Sequence, residues 1–205
     1  MKNIIQNIRR LFFDNSCTCC GEKASDNLIY LCYNCLDKIV RQKSLNKVGD
    51  TYYIWPYKGE FRKLLLEYKN NSRLALGKII SSLIEEEIFK VVYEEDIDYI
   101  VPIPINFRRE QIRGFNQVEE ILKNLNYSFL KTNRVKNTKK MFKLLDKEKR
   151  ENNIKNSFKV DKEFKAKNIL IFDDIITTGA TIEEFKRELI KNGEVNKIVV
   201  FSLAE

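Results

Sequence analysis

The sequence predicts an α/β domain built on a mainly parallel sheet. Three observations carry that expectation. From residue 51 onward, strand-like and helix-like segments alternate. "KNILIF" (167–172) is an uninterrupted apolar strand of the kind found inside a parallel sheet, where both faces are covered. The chain then closes on a helical pattern, "TIEEFKRELIKNG", and a further apolar strand, "KIVVFSL". At 205 residues there is room for one ordinary domain and a small appendage. We expect a cysteine-bearing unit over 1–47 and the α/β domain over 48–205.

In chain order, "MKNIIQNIRRLFF" places basic residues within an apolar run and has no small-residue cleavage site, so it predicts a short amphipathic helix rather than a secretion signal. Five cysteines follow between 17 and 35, then a short apolar helix, "LDKIVRQ", and a polar linker, "KSLNKVGD". "TYYIWPY" is aromatic and β-prone, with Pro56 and Gly59 ending the strand. "FRKLLLEYK" and "LALGKIISSLIEEEIFKVV" space their apolar residues by three and four and predict two amphipathic helices. "IDYIVPIPI" is a buried strand that Pro102 and Pro104 bar from continuing in a regular ladder. "FNQVEEILKNL" is helical, and "YSFLKTN" is a strand entering a basic segment.

Composition narrows the chemistry. At 43% hydrophobic and 32% charged, the chain can bury a core and stay in solution, and no apolar run reaches the roughly 20 residues of a membrane span. A cytoplasmic protein is expected. No histidine occurs, which excludes Ser-His-Asp and Cys-His catalysis and every His-ligated metal site. Of the net charge of +8, seven units fall within residues 131–150, where nine Lys or Arg face two acids. That run is either a solvated face or a segment that meets a polyanion, a pyrophosphate or a nucleic-acid backbone.

"FDDIITTGAT" (172–181) carries most of the functional signal. The preceding strand delivers Asp173 and Asp174 to its C-terminal end, where open α/β sheets place their ligands. Thr181 and Glu184 have the spacing of a capping box, which starts the next helix near Thr181. The residues between run into a helix N-terminus, a ready anion site. Gly179 allows close backbone approach to a phosphate, and Thr177, Thr178 and Thr181 add hydroxyl donors. The two carboxylates are suited to accept hydrogen bonds from vicinal hydroxyls. A phosphate loop beside two diol-binding acids describes a 5-phosphoribosyl group. A P-loop would need a Gly-Lys-Ser/Thr ending, which is absent.

"ILIFDDIITTGAT" resembles the phosphoribosyl-pyrophosphate (PRPP) signature of type I phosphoribosyltransferases at all thirteen positions. "YKGEFRKLLLEYK", "VPIPINFRREQIRGFNQVEEIL" and "NTKKMFKLLDKEKRENNIKNSF" narrow the resemblance to the ComF competence proteins, across nearly the whole chain. The resemblance implies a type I phosphoribosyltransferase fold with PRPP as ligand and Mg²⁺ carried on the pyrophosphate. Asp173 and Asp174 would hold the ribose hydroxyls as the catalytic acids. Thr177, Thr178, Gly179, Ala180 and Thr181 would hold the 5′-phosphate. Arg108, Arg109, Arg113 and Gly114, in the loop after "VPIP", would face the pyrophosphate, with Lys69 pointing into the same site. Met141 departs from the family pattern, which has glutamine there.

Cys17 and Cys20 form one C-x-x-C and Cys32 and Cys35 another, eleven residues apart, the spacing of a four-thiolate structural zinc knuckle. Disulfides, a redox dithiol and four free thiols are the competing readings. Cys19 is left over. Two functions follow from the resemblance and the charge: a PRPP-dependent phosphoribosyltransferase with an unidentified acceptor, or a non-enzymatic factor of DNA uptake that senses PRPP and binds single-stranded DNA. For the second, Tyr52, Tyr53 and Trp55 are candidate stacking residues, with core packing the alternative and the preferred one for Trp55.

Overall fold

The computed structural model describes residues 15–70, 73–136, 154–161 and 163–205. The N-terminal amphipathic segment and most of the basic run, Met141 included, lie outside them. Behind the cysteine segment comes α1 (Tyr33–Arg41), then strands β1 (Asn46–Val48) and β2 (Thr51–Trp55). Two helices follow, α2 (Gly59–Asn70) and α3 (Leu74–Glu94), leading to β3 (Tyr99–Pro102), α4 (Phe107–Arg113) and α5 (Gln117–Asn124). Two-residue strands β4 (Asn133–Arg134) and β5 (Phe158–Lys159) bracket the basic segment. The chain ends on β6 (Phe164–Ile175), α6 (Ala180–Lys191) and β7 (Gly193–Ala204).

The main sheet has the order β1-β2-β7-β6-β3, antiparallel only between β1 and β2. β6 lies between β7 and β3, paired parallel to both. Its side chains alternate between two cores. Leu170 and Phe172 join the larger one, with residues of α2, α3, α5 and the cysteine segment. Ile169 and Ile171 join the other, with Phe185 and Leu189 of α6 and Phe158 of β5. Burial on both faces is why "ILIF" has no polar alternation. The mixed α/β architecture with a mostly parallel sheet is as the sequence predicts.

Three segments differ from expectation. The polar linker contains β1, an edge strand whose Val48 opposes Thr51 across a two-residue turn. Gly49 takes φ +61° there, as a tight hairpin turn requires; β1 looks like a linker because its outer edge faces solvent. "YSFLKTN" forms a ladder only at its last residue, Asn133, which Arg134 continues. The segment after "VPIP" is the helix α4 rather than a loop. Asn106 accepts the Arg108 N–H at 3.0 Å as its N-cap, and Gly114 closes the helix at φ +85°.

The cysteine segment shares the larger core. Trp55 stacks on Phe61 with ring centroids 4.0 Å apart and donates its indole N–H to Ile39 O at 2.9 Å. Tyr52 is buried and donates its hydroxyl to Glu95. Trp55 and Tyr52 are therefore core residues, with no ring face open for a nucleobase. Among the described residues no helix is long and apolar enough to cross a membrane.

Candidate functional site

β3 stops at Pro102, opposite Phe172, because a second proline two residues on prevents further laddering. β6 runs three residues farther, to Ile175, with Asp173 opposite Ser202 of β7. The two aspartates thus sit on a strand end that has lost one neighbour. The Asp173 carboxylate accepts the Asp174 N–H at 2.8 Å. Burial, and next the charge of Asp174, push the Asp173 carboxyl up to about 7; Lys69 and Arg134 oppose the rise. Asp174 is held differently: Lys69, in the last turn of α2, places its ammonium 2.7 Å from the carboxylate, with both side chains largely covered.

Past the acids, Thr177 and Thr178 are exposed, and Gly179 adopts φ +70° to turn the chain into α6. Among the described residues no side chain caps this helix. The expected capping box does not form. Glu184 is buried and instead accepts the Asn156 N–H at 2.7 Å and the Arg187 guanidinium at 3.0 Å, both outside the first turn's donors. The opening N–H groups of α6, which have no partner within the helix, surround Gly179, Ala180 and Thr181, and no side chain among the described residues caps them.

The arginines divide. Arg109 and Arg113 are half-buried, and burial lowers both guanidinium pKa values while the charge of Asp174 opposes the drop. Arg113 and Gly114 also line an open cleft of about 400 Å³ with Phe115, Glu110, Glu119 and Glu120; the aspartates and the threonine loop do not line it. Arg108 is exposed, and its N–H is used in capping α4. Tyr68, one residue before Lys69, donates its hydroxyl to Gln117 O at 3.0 Å and fixes α2 against α5. A further cation, Arg134, interacts electrostatically with Asp173 and Arg109; burial pulls its pKa down to about 10. Nothing in the sequence separates it from its neighbours in the basic run.

The Sγ atoms of Cys17, Cys20, Cys32 and Cys35 lie within 4.8 Å of one another. Gly21, at φ +82°, forms the first turn, and Cys32 caps α1 by accepting the Cys35 N–H at 3.5 Å. Burial works against the Cys17 thiolate, but backbone N–H groups of Cys20, Cys32 and Cys19 outweigh it and draw the thiol down to about 6. Burial and the neighbouring sulfurs push Cys35 the other way. Four thiols so close cannot all ionise without a cation among them, and four sulfurs suit zinc. The set fits a structural ion and leaves no coordination position open. Cys19 points elsewhere, toward Glu60 O at 3.4 Å, and burial raises it to about 11. Among the described residues no other group of three or more metal-binding side chains converges.

Together these features define an α/β protein whose central parallel strand ends in paired acids, beside a helix N-terminus and within electrostatic reach of half-buried guanidinium groups. No protein-family model matches the chain. Individual relatives do. It is 31% identical to competence protein ComFC of Streptococcus pneumoniae over 161 residues, covering 73% of this chain and 66% of that one. It is 28% identical to competence protein F of Haemophilus influenzae over 202 residues, 90% and 83% of the two chains. It is 26% identical to the DNA utilization protein YhgH of Escherichia coli over 186 residues, 86% and 78%. The chain belongs to the ComF family.

Proposed function

We propose that this protein binds PRPP in a type I phosphoribosyltransferase fold and acts in DNA uptake. One observation carries the ligand reading: a carboxylate pair at a strand end, immediately followed by an open helix N-terminus. Asp173 and Asp174 accept the ribose 2′- and 3′-hydroxyls, and the backbone of Thr177 to Thr181 takes the 5′-phosphate. Arg109, Arg113 and Lys69 supply the charge for the pyrophosphate, with Arg108 at the rim and Gly114 turning the chain after Arg113. Mg²⁺ would arrive on the pyrophosphate oxygens, since Asp174 is engaged by Lys69 and Asp173 readily takes a proton. Zinc in the four-cysteine cluster would supply folding energy, not chemistry. The role in DNA uptake rests on the relatives named for competence and DNA utilization.

With an acceptor bound, its lone pair would form a bond to ribose C1 as the C1–oxygen bond breaks, the electron pair leaving with pyrophosphate. The guanidinium groups would favour that charge build-up. Isothermal titration of PRPP with Mg²⁺ tests the reading, using the wild type and Asp173→Asn/Asp174→Asn. Binding abolished by the double substitution supports the site, and pyrophosphate release with candidate acceptors then distinguishes an enzyme from a sensor. A folded, zinc-loaded wild type that binds no PRPP would refute it.

A further inference from the structure

Tyr57 and Arg62 stand at the same end of the sheet as the acids, on the far side of β7. Trp55 of β2 and Ile175 of β6 both pair with Ala204 of β7, so the three strands end level. Just beyond, the Tyr57 N–H donates to Glu205 O at 2.8 Å, and the Ile176 N–H donates to Ala204 O at 3.0 Å from the opposite flank. Two strand spacings, about 10 Å, separate β2 from β6. The Arg62 guanidinium, near the start of α2, lies over the Tyr57 ring at 5.6 Å from its centroid. Burial raises the pKa of the Tyr57 hydroxyl, the Arg62 charge opposes the rise and the Asp174 charge adds to it. The phenol is thus protonated and within electrostatic reach of the acids.

Of the other cations on α2, Lys63 donates to Cys19 O at 2.8 Å and Lys69 pairs with Asp174 at 2.7 Å. Arg62 is exposed, and its partner among the described residues is an uncharged ring. A guanidinium lying over an aromatic ring keeps its donor fork open along its edge, in the shape a carboxylate fits. Arg109 and Arg113 follow β3, on the other flank of β6, so a pyrophosphate drawn to them leaves from that flank. In-line displacement at ribose C1 brings the nucleophile from the face opposite the leaving group, here from the side of β7 and β2. An acceptor on that side meets an aromatic ring, a phenolic O–H and an exposed guanidinium. A planar ring bearing a carboxylate satisfies all three.

We propose that Tyr57 and Arg62 form the acceptor side of the site and select a heteroaromatic carboxylate, its ring against Tyr57 and its carboxylate on Arg62. This rests on the PRPP reading above. A ring nitrogen's lone pair forms the bond to C1 as the C1–oxygen electron pair leaves with pyrophosphate, and any proton on that nitrogen passes to solvent. The test uses two matched probe pairs, orotate with uracil and nicotinate with nicotinamide, each a carboxylate and an uncharged counterpart. Each probe is titrated into protein saturated with ribose 5-phosphate, which fills the acid pair but carries no leaving group. Wild type, Arg62→Met, Arg62→Glu and Tyr57→Leu are compared, with PRPP titrations and melting temperatures as controls. At least one carboxylate should bind wild type about tenfold more tightly than its counterpart. Arg62→Met should erase that preference, Arg62→Glu should reverse it, and Tyr57→Leu should weaken both members of the pair alike. PRPP, held on the other side of C1, should stay within about twofold throughout. A wild type that binds PRPP without preferring either carboxylate, or a folded Arg62→Met that keeps the preference, would overturn the acceptor assignment and leave the PRPP site standing. A wild type that binds no PRPP would overturn both.

Discussion

The ammonium of Lys69 lies 2.7 Å from the Asp174 carboxylate, joining the last turn of α2 to the C-terminal end of β6. The Lys69 charge also favours the ionised form of Asp173, opposing the rise that burial and the Asp174 charge produce. Replacing Lys69 with methionine keeps most of the side chain's bulk and removes the charge. We expect Lys69→Met to weaken PRPP about tenfold and to move the binding midpoint to higher pH. Calorimetry across pH 6 to 9 reads both effects, and an unchanged midpoint would detach Lys69 from the acids.

Asp173 itself gives two opposite pH trends. Its carboxyl is raised from 3.8 to about 7 by burial and then by the charge of Asp174. Between those values the folded chain holds a proton that the unfolded chain has lost. Its contribution to stability is therefore complete below about 4 and declines as pH rises toward 7. Ligand binding runs the other way, because only the ionised carboxylate accepts from two hydroxyls. PRPP affinity should rise from pH 6 to 8 while the melting temperature of the free protein falls over pH 4 to 7. Asp173→Asn should flatten both slopes, which thermal melts and titrations in parallel will show.

Much of this arrangement is legible in the sequence, and the limits have physical causes. The carboxylate pair, the glycine of the turn and the paired cysteines announce themselves because each needs particular residue types at fixed local spacing. Helix α4 was hidden because its cap, Asn106, and its terminator, Gly114, look like loop residues when read for periodicity alone. Glu184 had a good local partner in the spacing of a capping box, yet a distant backbone N–H at Asn156 took it. Arg134 is distinguished from its basic neighbours only by the Phe158 ring beneath it, twenty-four positions away in the chain. Local chemistry is written in spacing, whereas tertiary competition is not.

Gly77 shows how tightly α3 approaches the residue before Lys69. A Cβ built there would stand 2.9 Å from both Cε2 and Oη of Tyr68, a ring fully buried and pinned by its bond to Gln117 O. Alanine gains about 1 kcal/mol in helix propensity, but overpacking of this kind costs about 1–3 kcal/mol. Gly77→Ala should therefore destabilise the fold by about 1 kcal/mol in urea titration. A stabilised single variant would show that the ring can move aside.

The cysteine cluster reaches the same helix from its other end. Cys19 donates its thiol to Glu60 O, Lys63 donates its ammonium to Cys19 O at 2.8 Å, and Lys38 pairs with Glu60 at 3.6 Å. All three contacts hold the first turns of α2, whose last turn carries Lys69. Removing zinc with a strong chelator should therefore lower the melting temperature by about 10 °C and weaken PRPP binding, although no cysteine touches the acids. Elemental analysis should give one zinc per chain for the wild type and for Cys19→Ala, whose sulfur faces α2 and whose thiol burial keeps protonated. Cys35→Ser should lose the metal. If Cys19→Ala lost zinc while Cys35→Ser kept it, the ligand set would be wrong. If the stripped protein stayed folded and bound PRPP normally, the cluster would be independent of the site.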